Sequence, residues 1–115
     1  MTVECLFCKM VSGQIKPNTV YEDNNVLAFK DINPQAPVHI LVIPKRHIAT
    51  LNDLDQDTAQ LVSKLYLTAA QIAKESAIAE TGYRTVMNCN ADAGQSVFHL
   101  HLHLLGGRIM HWPPG

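Results

Sequence analysis

Near the end of the chain histidine and leucine alternate: His99, Leu100, His101, Leu102, His103, Leu104, then Leu105. Successive side chains of a strand point to opposite faces, so residues i, i+2 and i+4 share one side. The pattern predicts a strand over Val97 to Leu105 with its leucines buried and its imidazoles aligned, roughly 6–7 Å apart at a rise of about 3.3 Å per residue. Half of the chain's six histidines stand here. Imidazole exchanges protons near neutral pH and binds metals, so this face is the first place to look for chemistry.

The remainder supplies what such a strand needs around it. Thr19 to Glu22 and Val26 to Ile32 are β-prone runs flanking Asp23-Asn24-Asn25, a turn cluster suited to a hairpin. Pro34 and Pro37 enforce extended or turn geometry. Val38 to Ile43 is too apolar for a half-exposed strand and reads as central, with Pro44 ending it. Asp55 or Asp57 can cap a long helix whose Leu61, Leu65, Ala69, Ile72 and Ala73 form one apolar stripe. Gly82 marks the end of that helix or the loop after it. Tyr83 to Asn88 is a further strand, followed by the polar loop Asn90 to Ser96, and Cys5 to Gly13 is a short N-terminal helix. The expected fold is therefore α+β: a five-stranded, mainly antiparallel sheet with one long helix and a short N-terminal one.

The chain's 115 residues suit a single domain, with the prolines of the 106–115 tail leaving that tail irregular. A formal charge of −1 gives no electrostatic reason to expect nucleic acid or an anionic membrane as partner. No apolar stretch approaches the ~20 residues that span a bilayer. Nothing between Met1 and Met10 resembles a signal peptide, and three cysteines cannot all pair. A reducing, cytoplasmic location is expected.

Three aligned histidines preceded by Gly94, Gln95 and Ser96 have two chemical uses: they hold a metal, or one imidazole acts as a nucleophile supported by its neighbours. A solvated strand face is the third, inert reading. Cys5-Leu6-Phe7-Cys8 is half of a zinc site and needs two further ligands to be complete. Nothing nearby suggests a thioredoxin-like redox unit, and Cys89 reads as a packed residue.

His-x-His-x-His followed by two apolar residues resembles the signature of the histidine triad (HIT) superfamily. The resemblance extends to Phe29-Lys30-Asp31-Ile32-Asn33-Pro34-Gln35-Ala36-Pro37-Val38-His39, to Leu41-Val42-Ile43-Pro44-Lys45, and to Gly94-Gln95-Ser96-Val97-Phe98-His99. The ending Gly106-Gly107-Arg108-Ile109-Met110-His111-Trp112-Pro113-Pro114-Gly115 is similar to the C-terminus of the Hint branch, the purine nucleoside phosphoramidases. It implies the HIT fold and a hydrolase in which His101 attacks the α-phosphorus of a purine nucleoside phosphoramidate to form a nucleotidyl-histidine. His103 and His39 would stabilise charge on the phosphate, and Ser96 would serve a phosphate oxygen or the leaving amine. Asp31 would take the ribose hydroxyls, while Phe29 and Ile32 line the base slot. Asn88 would support the phosphate, as would the backbone amides around Gln95 to Val97.

The same attack would serve dinucleoside polyphosphates or aminoacyl-adenylates, and a nucleotide-binding interaction module with incidental turnover is a further alternative. Some members of the superfamily bind structural zinc through a cysteine pair and two histidines, which match Cys5, Cys8, His47 and His99 here. No organic cofactor is implied. The Hint branch also implies a homodimer in which the tail, through Trp112, contributes to the partner's site.

Overall fold

The computed structural model describes residues 5–115. Its sheet has the order β1-β2-β3-β5-β4 and is antiparallel throughout. The strands are β1 (Thr19–Glu22), β2 (Val26–Lys30), β3 (Val38–Pro44), β4 (Tyr83–Val86) and β5 (Leu102–Gly106). The helices are α1 (Leu6–Ser12) and α2 (Ala59–Glu75). The α+β architecture and the central place of the apolar run Val38–Pro44 are as the sequence indicates.

Register divides the chemistry. Phe29, Leu41, His103 and Val86 are paired across four neighbouring strands, so their side chains share one face. Ala28, Val42 and Leu102 are paired in the adjoining row and point the other way. That second face carries Val26, Ala28, Ile40, Val42, Leu100, Leu102 and Leu104 against Leu65, Ala69, Ile72 and Ala73 of α2. The stripe legible in the helix sequence is the stripe that is buried. The first face carries a smaller apolar cluster of Leu27, Phe29, Leu41 and Ile43 under Cys5 and Phe7 of the α1 region. One sheet thus has a deep hydrocarbon core on its α2 side and a shallower, histidine-bearing layer on its α1 side.

Three boundaries differ from the sequence expectation. The ladder of β5 begins at Leu102, not Val97: its last pair with β3 is Val42↔Leu102, and Pro44, which would stand opposite Leu100, has no amide to donate and gives its carbonyl to His99 Nε2. Before that point the backbone bonds elsewhere: the Leu100 amide donates to the Ile48 carbonyl (2.6 Å) in the loop after β3. Leu100 still faces the core, so the alternation outlives the ladder. Strand β2 stops at Lys30, because Asp31 turns the chain by accepting the Asn33 amide at 2.8 Å. Strand β4 stops at Val86, opposite His103, short of Asn88.

Asp55 rather than Asp57 anchors the start of α2, accepting from both the amide and the hydroxyl of Thr58 at 2.9 Å. This ties down the turn that leads into the helix.

Gly106 gives a direct test of the packing. It lies between Val38 and Tyr83 in the sheet, and a Cβ there would fall 2.6 Å from Cδ1 of buried Ile78. Gly106→Ala is expected to cost about 1–3 kcal/mol through overpacking, read as a lower urea midpoint with an unchanged slope.

Candidate active site

Four imidazoles come together on the α1 face. His101 is 8% exposed, His39 6% and His99 0%, and His103 is half-buried. Their rings form a chain, with His101 and His103 centroids 5.0 Å apart and His39 and His103 5.2 Å apart. His39 reaches the cluster from β3, opposite Leu105. Phe7 stands edge-on to His101 at 5.2 Å and to His99 at 5.9 Å, and also meets Phe29 at 5.4 Å. Its aromatic edge closes the layer beneath the nucleophile candidate. Phe7 went unremarked in the sequence; its only signal there was its place between two candidate ligands on a short helix.

Hydrogen bonds fix which nitrogen of each ring carries the proton. A carbonyl only accepts, so His101 Nδ1 is the protonated nitrogen that donates to the His99 carbonyl at 2.7 Å. In the neutral ring this leaves the lone pair on Nε2. His99 Nε2 likewise donates to the Pro44 carbonyl at 2.8 Å, leaving Nδ1 as its lone-pair nitrogen. A backbone amide only donates, so His39 Nδ1 is the acceptor for Gln35 N–H at 3.0 Å. Neutral His39 therefore carries its proton on Nε2 and donates to His103 Nδ1 at 2.9 Å. Neutral His103 must then present Nε2–H. One ring offers a lone pair and its neighbour offers a proton, the arrangement needed to attack an electrophile while holding its oxygens.

Burial favours the uncharged form of His39 and His103. It pushes the His103 pKa down to about 4, helped by the neighbouring His101 and His39 and opposed by Asp31. Burial also lowers His39, against the pull of Asp31, whose Oδ2 lies 3.5 Å from Nε2. A folded pKa below the ordinary histidine value of about 6.5 means the unfolded chain binds more protons between roughly pH 6.5 and pH 4, so stability is lost as pH falls through that window. The thermal midpoint is expected to drop between pH 7 and pH 5, by less in His103→Gln, as scanning calorimetry would measure.

The remaining residues are distributed around this chain of rings. Asp31 adjoins His39 and is held in its turn by Asn33. Phe29 is buried in the small cluster, and Val97 packs against it. Ile32 is 99% exposed, because β2 ends before it and leaves it on the loop. Asn88 is half-buried beyond Val86, on chain running toward the level of His101. Ser96 is exposed and lines a cavity of about 360 Å³ with His47, Cys5 and Val97.

Gln95 differs from expectation. Its carboxamide accepts from the Asn90 amide and donates to the Ala49 and Val97 carbonyls, while its own amide bonds the Asn90 carbonyl. Its polar groups knit the loop and are not turned toward a substrate. Trp112 is 82% exposed on the tail, which Arg84 holds by donating to the His111 carbonyl at 3.0 Å.

The other assembly is Cys5, Cys8, His47 and His99, whose ligand atoms lie within 4.8 Å of one another, close enough to hold a metal ion. His99 Nδ1 lies 3.4 Å from Cys5 Sγ, 3.5 Å from Cys8 Sγ and 3.2 Å from His47 Nδ1, and Cys8 Sγ is 3.2 Å from His47 Nδ1. Burial and the hydrogen bond and charge of Cys5 push the Cys8 thiol up to about 11. Binding a metal here would displace that proton.

Solved structures of known proteins share the fold. The family model described as scavenger mRNA decapping enzyme C-term binding matches residues 4–111. A HIT family hydrolase from Legionella pneumophila Philadelphia 1 superposes with a TM-score of 0.95 at 53% identity, covering 97% of this chain and all of that one. The purine nucleoside phosphoramidase of Escherichia coli K12 is 47% identical over 108 residues, 94% of this chain and 91% of its own. An uncharacterised HIT-like protein of Synechococcus elongatus is 49% identical over the full length of both. Fold and histidine face together define a hydrolase of the HIT type. The chain belongs to the histidine triad superfamily, on its Hint-like branch.

Proposed function

We propose that the protein hydrolyses purine nucleoside 5′-phosphoramidates, with His101 as nucleophile. The observation that carries this reading is the bond from His101 Nδ1–H to the His99 carbonyl, which leaves Nε2 with its lone pair beside a neutral, proton-bearing His103. Nε2 of His101 attacks the α-phosphorus, the P–N bond breaks, and the amine departs with a proton from the Ser96 hydroxyl or His103 Nε2–H, which the water of the second step returns. The products of this step are the amine and a nucleotidyl-histidine. Water then attacks the same phosphorus, releasing the nucleoside monophosphate and restoring His101. Two modest barriers replace one high one.

His103 Nε2–H and the Ser96 hydroxyl serve the non-bridging oxygens or the leaving amine, and Asn88 adds a polar contact. Asp31 accepts from the ribose hydroxyls; its place beside His39 favours this reading. Phe29, Val97 and the exposed Ile32 offer apolar surface to the base. The similarity to the Escherichia coli phosphoramidase supports the choice of leaving group. The test is release of AMP from adenosine 5′-phosphoramidate, set against release from diadenosine polyphosphates. A faster rate on the polyphosphates would move the protein to that substrate class.

The four-atom cluster is read as a structural zinc site. Zinc bond lengths of ~2.3 Å to sulfur and ~2.05 Å to nitrogen at a tetrahedral angle predict separations of about 3.6 Å for S···N and about 3.3 Å for N···N, close to those above. With two cysteines and two histidines it leaves no position for a substrate, so bound zinc would brace α1 against the His99 segment. The bond from His99 Nε2 to the Pro44 carbonyl fixes the ring's orientation and leaves Nδ1 free to ligate.

We also infer a homodimer. Strand β4 is an edge, Tyr83 on it and Tyr66 and Leu67 on α2 are exposed, and Trp112 projects from the tail. An edge strand and bare apolar side chains are what a partner copy would cover. Reaching the partner's site is the role this reading gives Trp112.

A further inference from the structure

Two loops far apart in sequence meet beside the His39–His103 pair. Arg108, in the segment after β5, donates from Nε to the Gln35 carbonyl at 3.0 Å. Its neighbour Gly107 has φ +90°, and a Cβ there would fall 2.9 Å from the Pro37 side chain. The segment is therefore seated on the Pro34–Pro37 loop at two successive residues. The same Gln35 supplies the amide that donates to His39 Nδ1. Elsewhere this loop is anchored by the Asp31 carboxylate, which accepts the Asn33 amide.

We propose that Arg108 is a positioning residue: by holding the Gln35 backbone it fixes the proton positions of His39 and, through it, His103. The physical logic is a relay of donors. With the Gln35 amide in place, Nδ1 of His39 must accept, so its Nε2–H points at His103 Nδ1 and His103 keeps its outward proton on Nε2. If Gln35 shifts, His39 is free to move its proton to Nδ1. Two unprotonated nitrogens would then face each other across 2.9 Å, a repulsion relieved when His103 moves its own proton to Nδ1. The two rings change tautomer together, and His103 Nε2 turns from donor into acceptor. A guanidinium on a carbonyl is a charge-assisted bond and holds more firmly than a neutral donor would. The contact is made by backbone atoms of Gln35, so its side-chain identity gives no hint of it.

The effect on turnover rests on the reading of His103 as a phosphate donor; the tautomers do not. The test therefore has two arms on the full chain. Long-range ¹⁵N–¹H imidazole spectra of the ligand-free protein identify the tautomers of His39 and His103 in wild type, Arg108→Met and Arg108→Lys. Wild type is expected to show protonated Nε2 on both rings, and Arg108→Met a mixture on both. In adenosine 5′-phosphoramidate hydrolysis, Arg108→Met should lower kcat about five-fold with KM unchanged, the scale of one net hydrogen bond. Arg108→Lys should restore most of both signals. Unchanged tautomers in Arg108→Met overturn the proposal, whatever happens to kcat. Mixed tautomers with an unchanged kcat uphold it and overturn the role given to His103.

Discussion

His101→Ala is expected to lower the turnover of adenosine 5′-phosphoramidate by at least about 10⁴-fold, equivalent to roughly 5.4 kcal/mol of transition-state stabilisation. The size of the loss follows from what is removed. Without Nε2 no covalent intermediate forms, and water must displace the amine in one step without the lone pair that the His99 carbonyl orients. The remaining donors still bind the phosphate, so AMP affinity should change little. Removing a donor is a smaller loss: His103→Gln should cost about 10²–10³-fold, the range for one preorganised hydrogen bond to a developing oxyanion. The ring of His101 also packs on Phe7 at 5.2 Å, so a thermal melt must accompany the assay. A folded His101→Ala protein that binds AMP and still turns over at near wild-type rate would remove His101 from the mechanism.

The separation between the two variants rests on a division of labour that runs through the sheet. Leu100, Leu102 and Leu104 hold the His99–His103 segment onto the α2 core, and burial on the opposite face keeps His39 and His103 neutral. The period of two in the sequence sets both at once, since any slip by one residue would exchange leucines for histidines. That is why the fold and the imidazole face were legible early. Where alternation continued but strand pairing did not, at residues 97–101, the sequence overstated the strand: side-chain pattern records which face is buried, not whether the backbone has a partner.

Contacts made by backbone atoms were harder to read. Gln35 offers its amide and carbonyl, and Leu100 donates to Ile48 in the distant loop after β3; neither leaves a mark in residue type. Gln95 is a second case. The backbone amides around Gln95 to Val97 were expected to support a phosphate, yet the Gln95 amide bonds the Asn90 carbonyl and its carboxamide is saturated by Asn90, Ala49 and Val97. Composition identifies a donor without saying where its bonds go.

Replacing Cys5 by serine should abolish zinc binding and lower the thermal midpoint, and the position lets ligation be separated from helix capping. Cys5 is the N-cap of α1, its sulfur accepting the Cys8 amide at 3.3 Å. Serine is among the better N-cap residues, so Cys5→Ser keeps that bond while removing the thiolate. A ligand that binds only the folded chain stabilises it by about 4 kcal/mol at a thousand-fold excess over its Kd. For a domain near this size that is roughly 15 °C in Tm at about 4 °C per kcal/mol. Wild type should purify with one zinc per chain by elemental analysis and lose the same stability to a chelator, whereas Cys5→Ser should be metal-free and indifferent to chelation. Turnover in the variant should fall less than in His101→Ala, because the His99 carbonyl that holds His101 Nδ1–H belongs to a segment still bound by Pro44 and Ile48. Substoichiometric zinc that is unchanged by the substitution, with a Tm insensitive to chelation, would mean that the four side chains pack together without a metal and that α1 is held by Phe7 and its apolar neighbours alone.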